Sequence, residues 1–268
     1  MNRNSLAAAI AARISPLVNT LSDQWAGSGG SYFLLDDLLE ERIATDIFQR
    51  FPSPSKMMIR KTLREHKYVA AQMDQFDPLL EEIVFSFQDV RVRSLMEKIT
   101  GIRDQLPDSR LYAGGISLMS KGHFLNPHLD NSHNNDRSAY RVLNLLYYVS
   151  PGWGIDDGGN LELWQDGPKG SPITIHSKFN RLVVMATDVH TWHSVNKVKT
   201  DGQRCCVSNY FFSTTPPRGN DYFHVTSFRG RPEQPMRNVF LIADAALRAG
   251  VRKLFPHGIS ATKHIYKK

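Results

Sequence analysis

One stretch of the sequence decides the fold. It begins with His128-Leu129-Asp130, continues to Trp192-His193-Ser194-Val195 and ends at Arg204. In an extended segment, residues two apart face the same way, so His128 and Asp130 can bind one metal ion while Leu129 points away. Two imidazoles and one carboxylate suit a non-haem Fe(II) centre with open coordination positions. An arginine beyond the last ligand suits a carboxylate on a second bound molecule.

The His-x-acid spacing is weak evidence when it is taken alone. The chain has 10 histidines, so about one such triplet is expected by chance. His190 competes with His193 for the third ligand position, and we prefer His193 because it leads directly into a strand-like segment. His123 and His133 lie close to the motif, and we expect both to stand beside the ligands or to face solvent.

From residue 111 onward, short segments rich in β-branched and aromatic residues follow one another, and Gly, Pro, Asn or Asp separates most of them. The predicted strands are 111–119, 140–149, 160–164, 172–176, 181–186, 193–198 and 204–212. Strands at this density indicate a β-sandwich or barrel, of which the jelly roll is one solution. Distant strands meet at one mouth of such a barrel, so the gap between His128 and His193 is no obstacle.

The flanking segments carry helical periodicity. The predicted N-terminal elements are a helix over 5–22, a linker over 25–31, a strand over 32–35, a helix over 38–51 capped by Asp36 or Asp37, an unassigned stretch over 56–65, and one or two helices over 77–99 ended by Gly101. A helix over 237–255 and a basic, mobile tail over 261–268 follow a loop-like stretch at 220–230. We therefore predict a mainly β fold with flanking helices: an N-terminal segment 1–107 packed on a core at 108–215, and a C-terminal extension over 216–268.

Composition sets broad limits on function. The chain has 268 residues, of which 41% are hydrophobic and 22% charged, as in an ordinary globular protein. The net charge of +7 favours acidic partners, although a basic solvated surface explains so modest an excess more simply. Cys205 and Cys206 are adjacent and point to opposite faces of a strand, so we expect free thiols and a reducing, cytoplasmic setting. The apolar run before Ile14 is too short to span a membrane.

Five segments occur in an order that resembles a known family. They are Tyr147-Tyr148-Val149-Ser150, Gly158-Gly159-Asn160-Leu161-Glu162-Leu163, Lys178-Phe179-Asn180-Arg181-Leu182-Val183-Val184, His193-Ser194-Val195 and Arg204. Together they resemble the prolyl 4-hydroxylase-like branch of the Fe(II)/2-oxoglutarate dioxygenases over residues 108–213. The resemblance implies a double-stranded β-helix (jelly-roll) core. It also implies that His128, Asp130 and His193 bind iron, and that Arg204 binds the distal carboxylate of 2-oxoglutarate.

The same resemblance extends to the inner face of one strand. Tyr148 matches a family position whose phenol hydrogen-bonds the co-substrate carboxylate, and alternation places Asn144 on the same face. We therefore expect Tyr148 and Asn144 to contact the co-substrate with Arg204; an ordinary core tyrosine is the alternative for Tyr148. Met119 and Cys206 depart from the pattern, because many relatives carry a tyrosine and a small hydroxyl residue there.

The implied activity is hydroxylation of a C–H bond with Fe(2+), 2-oxoglutarate and O2, giving succinate and CO2, with ascorbate as a candidate reductant. An intact Asp130 favours hydroxylation, since halogenating relatives replace this carboxylate with a small residue. The substrate is a small molecule or a peptide: a peptidyl proline, a free amino acid, a sugar and a lipid precursor all stay open. The sequence does not encode the oligomeric state.

Three other functions stay open. A non-catalytic cupin-like binding protein would need neither Arg204 nor Tyr148. A zinc hydrolase would need a separate general base, which the motifs do not supply. A nucleic-acid demethylase would carry a further arginine where Tyr210 stands, and no concentration of stacking aromatics with basic residues marks a nucleic-acid site. The basic residues of the C-terminal third could still meet an anionic substrate; they are Arg218, Arg229, Arg231, Arg237, Arg248, Arg252 and Lys253.

Overall fold

A computed structural model describes residues 1–217, 219–254 and 266–267. Its helices are α1 Arg3–Ile14, α2 Val18–Gly27, α3 Glu41–Gln49, α4 Pro78–Ser86, α5 Val90–Thr100 and α6 Pro235–Leu254. Its strands are β1 Tyr32–Leu35, β2 Met58–Lys61, β3 Glu65–Ala70, β4 Gln105–Pro107, β5 Gly115–Met119, β6 Phe124–Leu129, β7 Tyr140–Tyr148, β8 Leu161–Trp164, β9 Ile173–Ile175, β10 Arg181–Ala186, β11 Trp192–Val195, β12 Arg204–Ser213 and β13 Ser227–Phe228.

Two rows of four antiparallel strands form the centre of the molecule. One row is β5-β12-β7-β10 and the other is β6-β11-β8-β9. Strand β3 pairs with both β5 and β6, so it joins the two rows into one curled sheet, and β1 extends the first row at β10. The mainly β jelly-roll fold predicted from the sequence is therefore confirmed.

Alternation along β7 separates two cores. Leu145 and Tyr147 face outward into a cluster shared with α1, α4 and α5, whereas Leu146 and Tyr148 face the inside of the curled sheet. Helices therefore cover the outer face and leave the inner face for a cavity. Each fully buried aliphatic side chain in the outer cluster, such as Ile10, contributes about 2 kcal/mol before entropy losses.

The helices follow the predictions with three differences. The 5–22 segment forms two helices because Pro16 sits in a 3₁₀ turn between them, and α2 runs into the predicted linker as far as Gly27. The 77–99 segment forms two helices, and Gly101 ends the second at φ +71°, as expected. Neither Asp36 nor Asp37 caps α3: its N-cap is Glu40, and Asp36 instead pairs with Arg181 and Lys178.

Five strands were missed in the sequence, and one of them, β4, has only three residues. Strand β2 is exposed on both faces, so it shows no alternation, and β3 follows it within and after the unassigned stretch. Strand β6 contains Pro127, which reads as a break, and β13 lies in the segment predicted to be a loop. The strand predicted from residue 111 begins at Gly115 instead, because Leu111 adopts φ +45° in a turn.

The C-terminal tail is described only in part. Most of the predicted tail over 261–268 lies outside the described residues, but Tyr266 is buried and packs on Phe85. Cys205 and Cys206 are free and buried. Within the described ranges, no helix has both the length and the apolar character needed to cross a bilayer. The three-part division stays a prediction; strands β1 to β4 of the N-terminal segment pair with neighbours in the same sheet.

Gly158 allows two loops to approach closely. A Cβ at this position would overlap the backbone carbonyl oxygen of Lys197, and the backbone adopts φ +74°. We expect Gly158→Ala to lower the free energy of unfolding by about 2–4 kcal/mol. Gly152 is the matched control, since it has a similar φ of +66° but no atom within 4 Å of an added Cβ. Gly152→Ala should cost about 1 kcal/mol in chemical denaturation; equal losses for the two variants would contradict the close approach.

Candidate metal centre

The three predicted ligands converge at one end of the barrel. Strands β6 and β11 pair so that His193 stands opposite His128, and Asp130 follows the last residue of β6. One ligand atom from each lies within 4.8 Å of the other two. The Asp130 carboxylate is 3.8 Å from His128 Nε2 and 3.7 Å from His193 Nε2. His190, the competing candidate, is exposed and stands outside this cluster.

A β-bulge in β6 sets the direction of His128. Val195 pairs with Leu125 and His193 with His128, so β6 contains one more residue than β11 over this interval. The extra residue comes at Asn126-Pro127, where a proline can be accommodated because the ladder is already interrupted. Leu125 and His128 are three apart, yet both line the same cavity. The bulge therefore turns the imidazole inward.

Backbone contacts select the tautomer of both imidazoles. His128 Nδ1 lies 3.0 Å from the carbonyl oxygen of Asn126, and His193 Nδ1 lies 3.0 Å from that of Thr191. Nδ1–H donates in each case, which leaves the Nε2 lone pair free on the side of Asp130. Phe228 stacks on the His128 ring at 4.9 Å between centroids. Burial lowers the pKa of His128 to about 3, so the ring is neutral and able to bind a metal.

Asp130 is an ionised carboxylate in a buried position. Burial alone would raise its pKa, but the charge of Arg141 lowers it below its usual range. Arg141 Nη1 lies 3.3 Å from Oδ1, and the same guanidinium donates to Asn131 at 2.7 Å. Oδ2 has no hydrogen-bond partner among the described residues. A buried charge with one unsatisfied oxygen fits a role as a metal ligand.

Arg141 was missed in the sequence because a second bulge hides it. In the β12–β7 ladder, Phe211 pairs with Leu143 and Phe212 with Arg141, so Val142 is an extra residue. Simple alternation would place Arg141 on the face opposite Asn144, but both line the cavity. Arg141 could have been identified only from its closeness to Asp130 in the folded chain, and the spacing of the two residues in the sequence does not show this closeness.

Arg204 lies deeper in the barrel and is 3% exposed. Its guanidinium carbon is 4.7 Å from the centre of the Tyr148 ring, and Nη1 is 3.8 Å from the sulfur of Met119. Nε has no hydrogen-bond partner within the described part of the chain, nor does the Tyr148 hydroxyl. Burial raises the pKa of Tyr148 to about 12, so it remains a donor. A buried guanidinium beside an unsatisfied hydroxyl fits a carboxylate from outside the chain.

Four further residues that the sequence singled out are Asn144, Cys206, His123 and His133. Asn144 lines the cavity and donates to the Tyr210 hydroxyl at 3.0 Å, while its own Oδ1 has no partner among the described residues. Cys206 is fully buried behind Tyr148. His123 and His133 are also buried and take no part in the ligand cluster, so the solvent-facing alternative was wrong for both.

A network on the outer side of β11 supports His193. Ser194 donates to Glu162 at 2.6 Å and accepts from Trp164 Nε1 at 2.8 Å. Arg231, from the segment before α6, pairs with the same Glu162 carboxylate. The strand that carries His193 is therefore held to the C-terminal extension.

A cavity of about 390 Å³ connects the ligand cluster with Arg204, and Tyr148 is not among the described residues that line it. It is lined by the three clustered ligands and by further side chains that include Asn144, Leu146, Arg204, Tyr112 and Tyr210. The donor set near its end fits a divalent metal, and the unpartnered Arg204 fits a carboxylate that approaches from the metal side.

Comparisons with known proteins agree with this geometry. The sequence model of the 2OG-Fe(II) oxygenase superfamily matches residues 114–212. Prolyl 3-hydroxylase OGFOD1 from Xenopus laevis is 33% identical over 103 residues, which span 35% of this chain and 20% of that protein. The match therefore covers about a fifth of the relative's length.

Two solved structures share the fold. A prolyl hydroxylase from Trichoplax adhaerens, in complex with a hypoxia inducible factor peptide fragment, aligns with a TM-score of 0.53 at 16% identity, covering 75% of this chain and 90% of that one. A Pseudomonas putida prolyl-4-hydroxylase aligns with a TM-score of 0.52 at 15% identity, covering 76% and 98%. The family match includes the ligand cluster and Arg204: residues 114–212, which contain all four of these side chains, are similar to the 2OG-Fe(II) oxygenase superfamily.

Proposed function

We propose that the chain is an Fe(II)- and 2-oxoglutarate-dependent dioxygenase that hydroxylates a C–H bond of its substrate. One observation carries the proposal: His128, Asp130 and His193 converge in a cavity that the buried Arg204 also lines, and Arg204 has no carboxylate partner within the described part of the chain. A metal site alone would suit several chemistries. A metal site with a guanidinium lacking its own carboxylate suits a dicarboxylate co-substrate.

Each residue has a distinct task in this proposal. The Nε2 atoms of His128 and His193 and the Asp130 carboxylate would hold Fe(2+). The bound iron, with 2-oxoglutarate and O2, supplies the oxidising chemistry that hydroxylates the substrate and yields succinate and CO2. Arg204 binds the distal carboxylate, and the Tyr148 hydroxyl donates to the same group. Asn144 stands on the same inner face, and ascorbate as reductant stays a prediction.

A peptidyl proline is the first substrate to test, because the relatives reported above are named as prolyl hydroxylases. A free amino acid, a sugar and a lipid precursor remain further candidates, as does a cytoplasmic location for the reaction. The buried Arg204–Tyr148 pair argues against a non-catalytic cupin-like protein, since such a protein has no use for an unpaired internal guanidinium.

Removal of a metal ligand tests the proposal. We expect His128→Ala and Asp130→Ala to reduce 2-oxoglutarate-dependent succinate formation by about 100-fold or more, because each leaves two ligands for iron. His190→Ala is the control, since His190 is exposed and outside the cluster. Isothermal titration with Mn²⁺ measures the metal affinity directly. Unchanged succinate formation in both ligand variants would refute the assignment.

Arg204 and Tyr148 should act on co-substrate affinity. We expect Arg204→Ala to raise the 2-oxoglutarate concentration needed for half-maximal rate by about 10–100-fold, through loss of a charge-assisted hydrogen bond. Tyr148→Phe should raise it by about 2–10-fold, because it removes one neutral donor. Arg42→Ala removes an exposed arginine and serves as the control. If neither inner variant changes the requirement, the co-substrate binds elsewhere.

A further inference from the structure

Besides Arg141 and Arg204, four basic side chains line the cavity. Arg60, Arg64 and Lys67 come from the β2–β3 hairpin, and Arg248 comes from α6. We call these four residues the mouth cluster. All four are partly exposed, with side-chain exposures between 19% and 39%. They are therefore accessible to a molecule that enters from solvent.

The mouth cluster contains more positive than negative charge. Lys67 Nζ lies 3.0 Å from Glu65, and Arg60 lies 3.7 Å from the same carboxylate. Arg64 and Arg248 likewise share the Asp244 carboxylate, the latter at 2.8 Å. Four cations thus share two carboxylates, and two positive charges remain without a counterion from these pairs.

The interior does not offset this excess. Arg141 is balanced by Asp130, and in the proposed function Arg204 is matched by the co-substrate. The low-dielectric walls of a cavity strengthen the field of charges that remain unmatched. A neutral substrate would leave the two unmatched positive charges of the mouth cluster without a counterion, whereas a negatively charged group would be attracted to them.

Three other arginines of the C-terminal segment contact residues away from the mouth cluster. Arg231 pairs with Glu162, Arg229 lies over Trp192, and Arg237 lies over Phe124. Arg248 alone among these four lines the cavity. Of these four C-terminal arginines, only Arg248 therefore adds to the positive charge of the cavity.

We propose that the substrate is a peptide whose carboxylate or phosphate group binds the mouth cluster while a neighbouring residue presents its C–H bond to the metal centre. This inference rests on the proposed function and names the substrate class for that site. An excess of two charges suits one or two anionic groups. Glu65 and Asp244 stand within the cluster and would repel the continuous phosphates of a nucleic acid.

The test compares defined peptides on protein loaded with Zn²⁺ and 2-oxoglutarate, which prevents turnover. Three fluorescent peptides of equal length carry a central proline flanked by two glutamates, two phosphoserines or two glutamines. We expect the glutamate or the phosphoserine peptide to bind at least about tenfold more tightly than the glutamine peptide, as for a charge-assisted hydrogen bond. The preference should weaken as salt is added. The acidic peptide that binds more tightly identifies the anion.

Paired variants separate a binding role from a structural one. Arg64→Gln/Arg248→Gln should weaken the favoured acidic peptide by about tenfold or more. Lys98→Gln/Lys169→Gln removes the same charge from exposed positions outside the cavity lining and should leave binding unchanged. Asp244→Asn removes a competing carboxylate and should tighten binding, which misfolding cannot explain.

Several outcomes would overturn the inference. Equal affinity for the three peptides, equal effects of the two double variants, or tighter binding of a single-stranded oligonucleotide each rules out an acidic peptide as the occupant. Titration of 2-oxoglutarate into the same Zn²⁺-loaded protein separates the two proposals. If 2-oxoglutarate fails to bind, the proposed function fails; if it binds and acidic peptides are not preferred, only the substrate class fails.

Discussion

The buried charge of Asp130 is the constraint on which the site depends. A carboxylate in this position is stable only if positive or polar groups surround it closely. Arg141 Nη1 and His128 Nε2 lie near Oδ1, and His193 Nε2 lies near Oδ2. Both imidazoles are fixed by the carbonyl of the residue two positions earlier in the chain. Pairing of β6 with β11 therefore brings together two histidines that already have the correct tautomer.

Much of this arrangement could be predicted from residue order. The short strands, the single His-x-Asp triplet, His193 before a strand and Arg204 at the start of another were sufficient for the fold and for the candidate ligands. What could not be predicted at the candidate site lies at the two bulges. Alternation assumes a period of two, and one extra residue reverses it, so Arg141 was assigned no role and Pro127 concealed β6. Sequence periodicity does not reveal where a ladder gains a residue.

The segments outside the family match do more than cover the jelly roll: they also form part of the cavity. Strand β3 joins the two rows of the jelly roll, and its hairpin with β2 forms one wall of the cavity. Helix α6 and β13 form another part, through Arg248 and Phe228. The groups proposed to bind metal and co-substrate thus lie within residues 114–212, whereas much of the remaining cavity wall comes from segments before and after this range.

The Glu162–Arg231 pair has a consequence for any attempt to shorten this protein. A fragment trimmed to the family match keeps every ligand and Arg204, yet it loses the guanidinium that neutralises a carboxylate only 6% exposed. It also loses the ring stacked on His128. The Glu162 carboxylate would then be buried beneath β11 without a positive partner, which lowers the stability of the fold. The smallest unit recognisable by homology is therefore smaller than the smallest unit that can hold its second histidine in place.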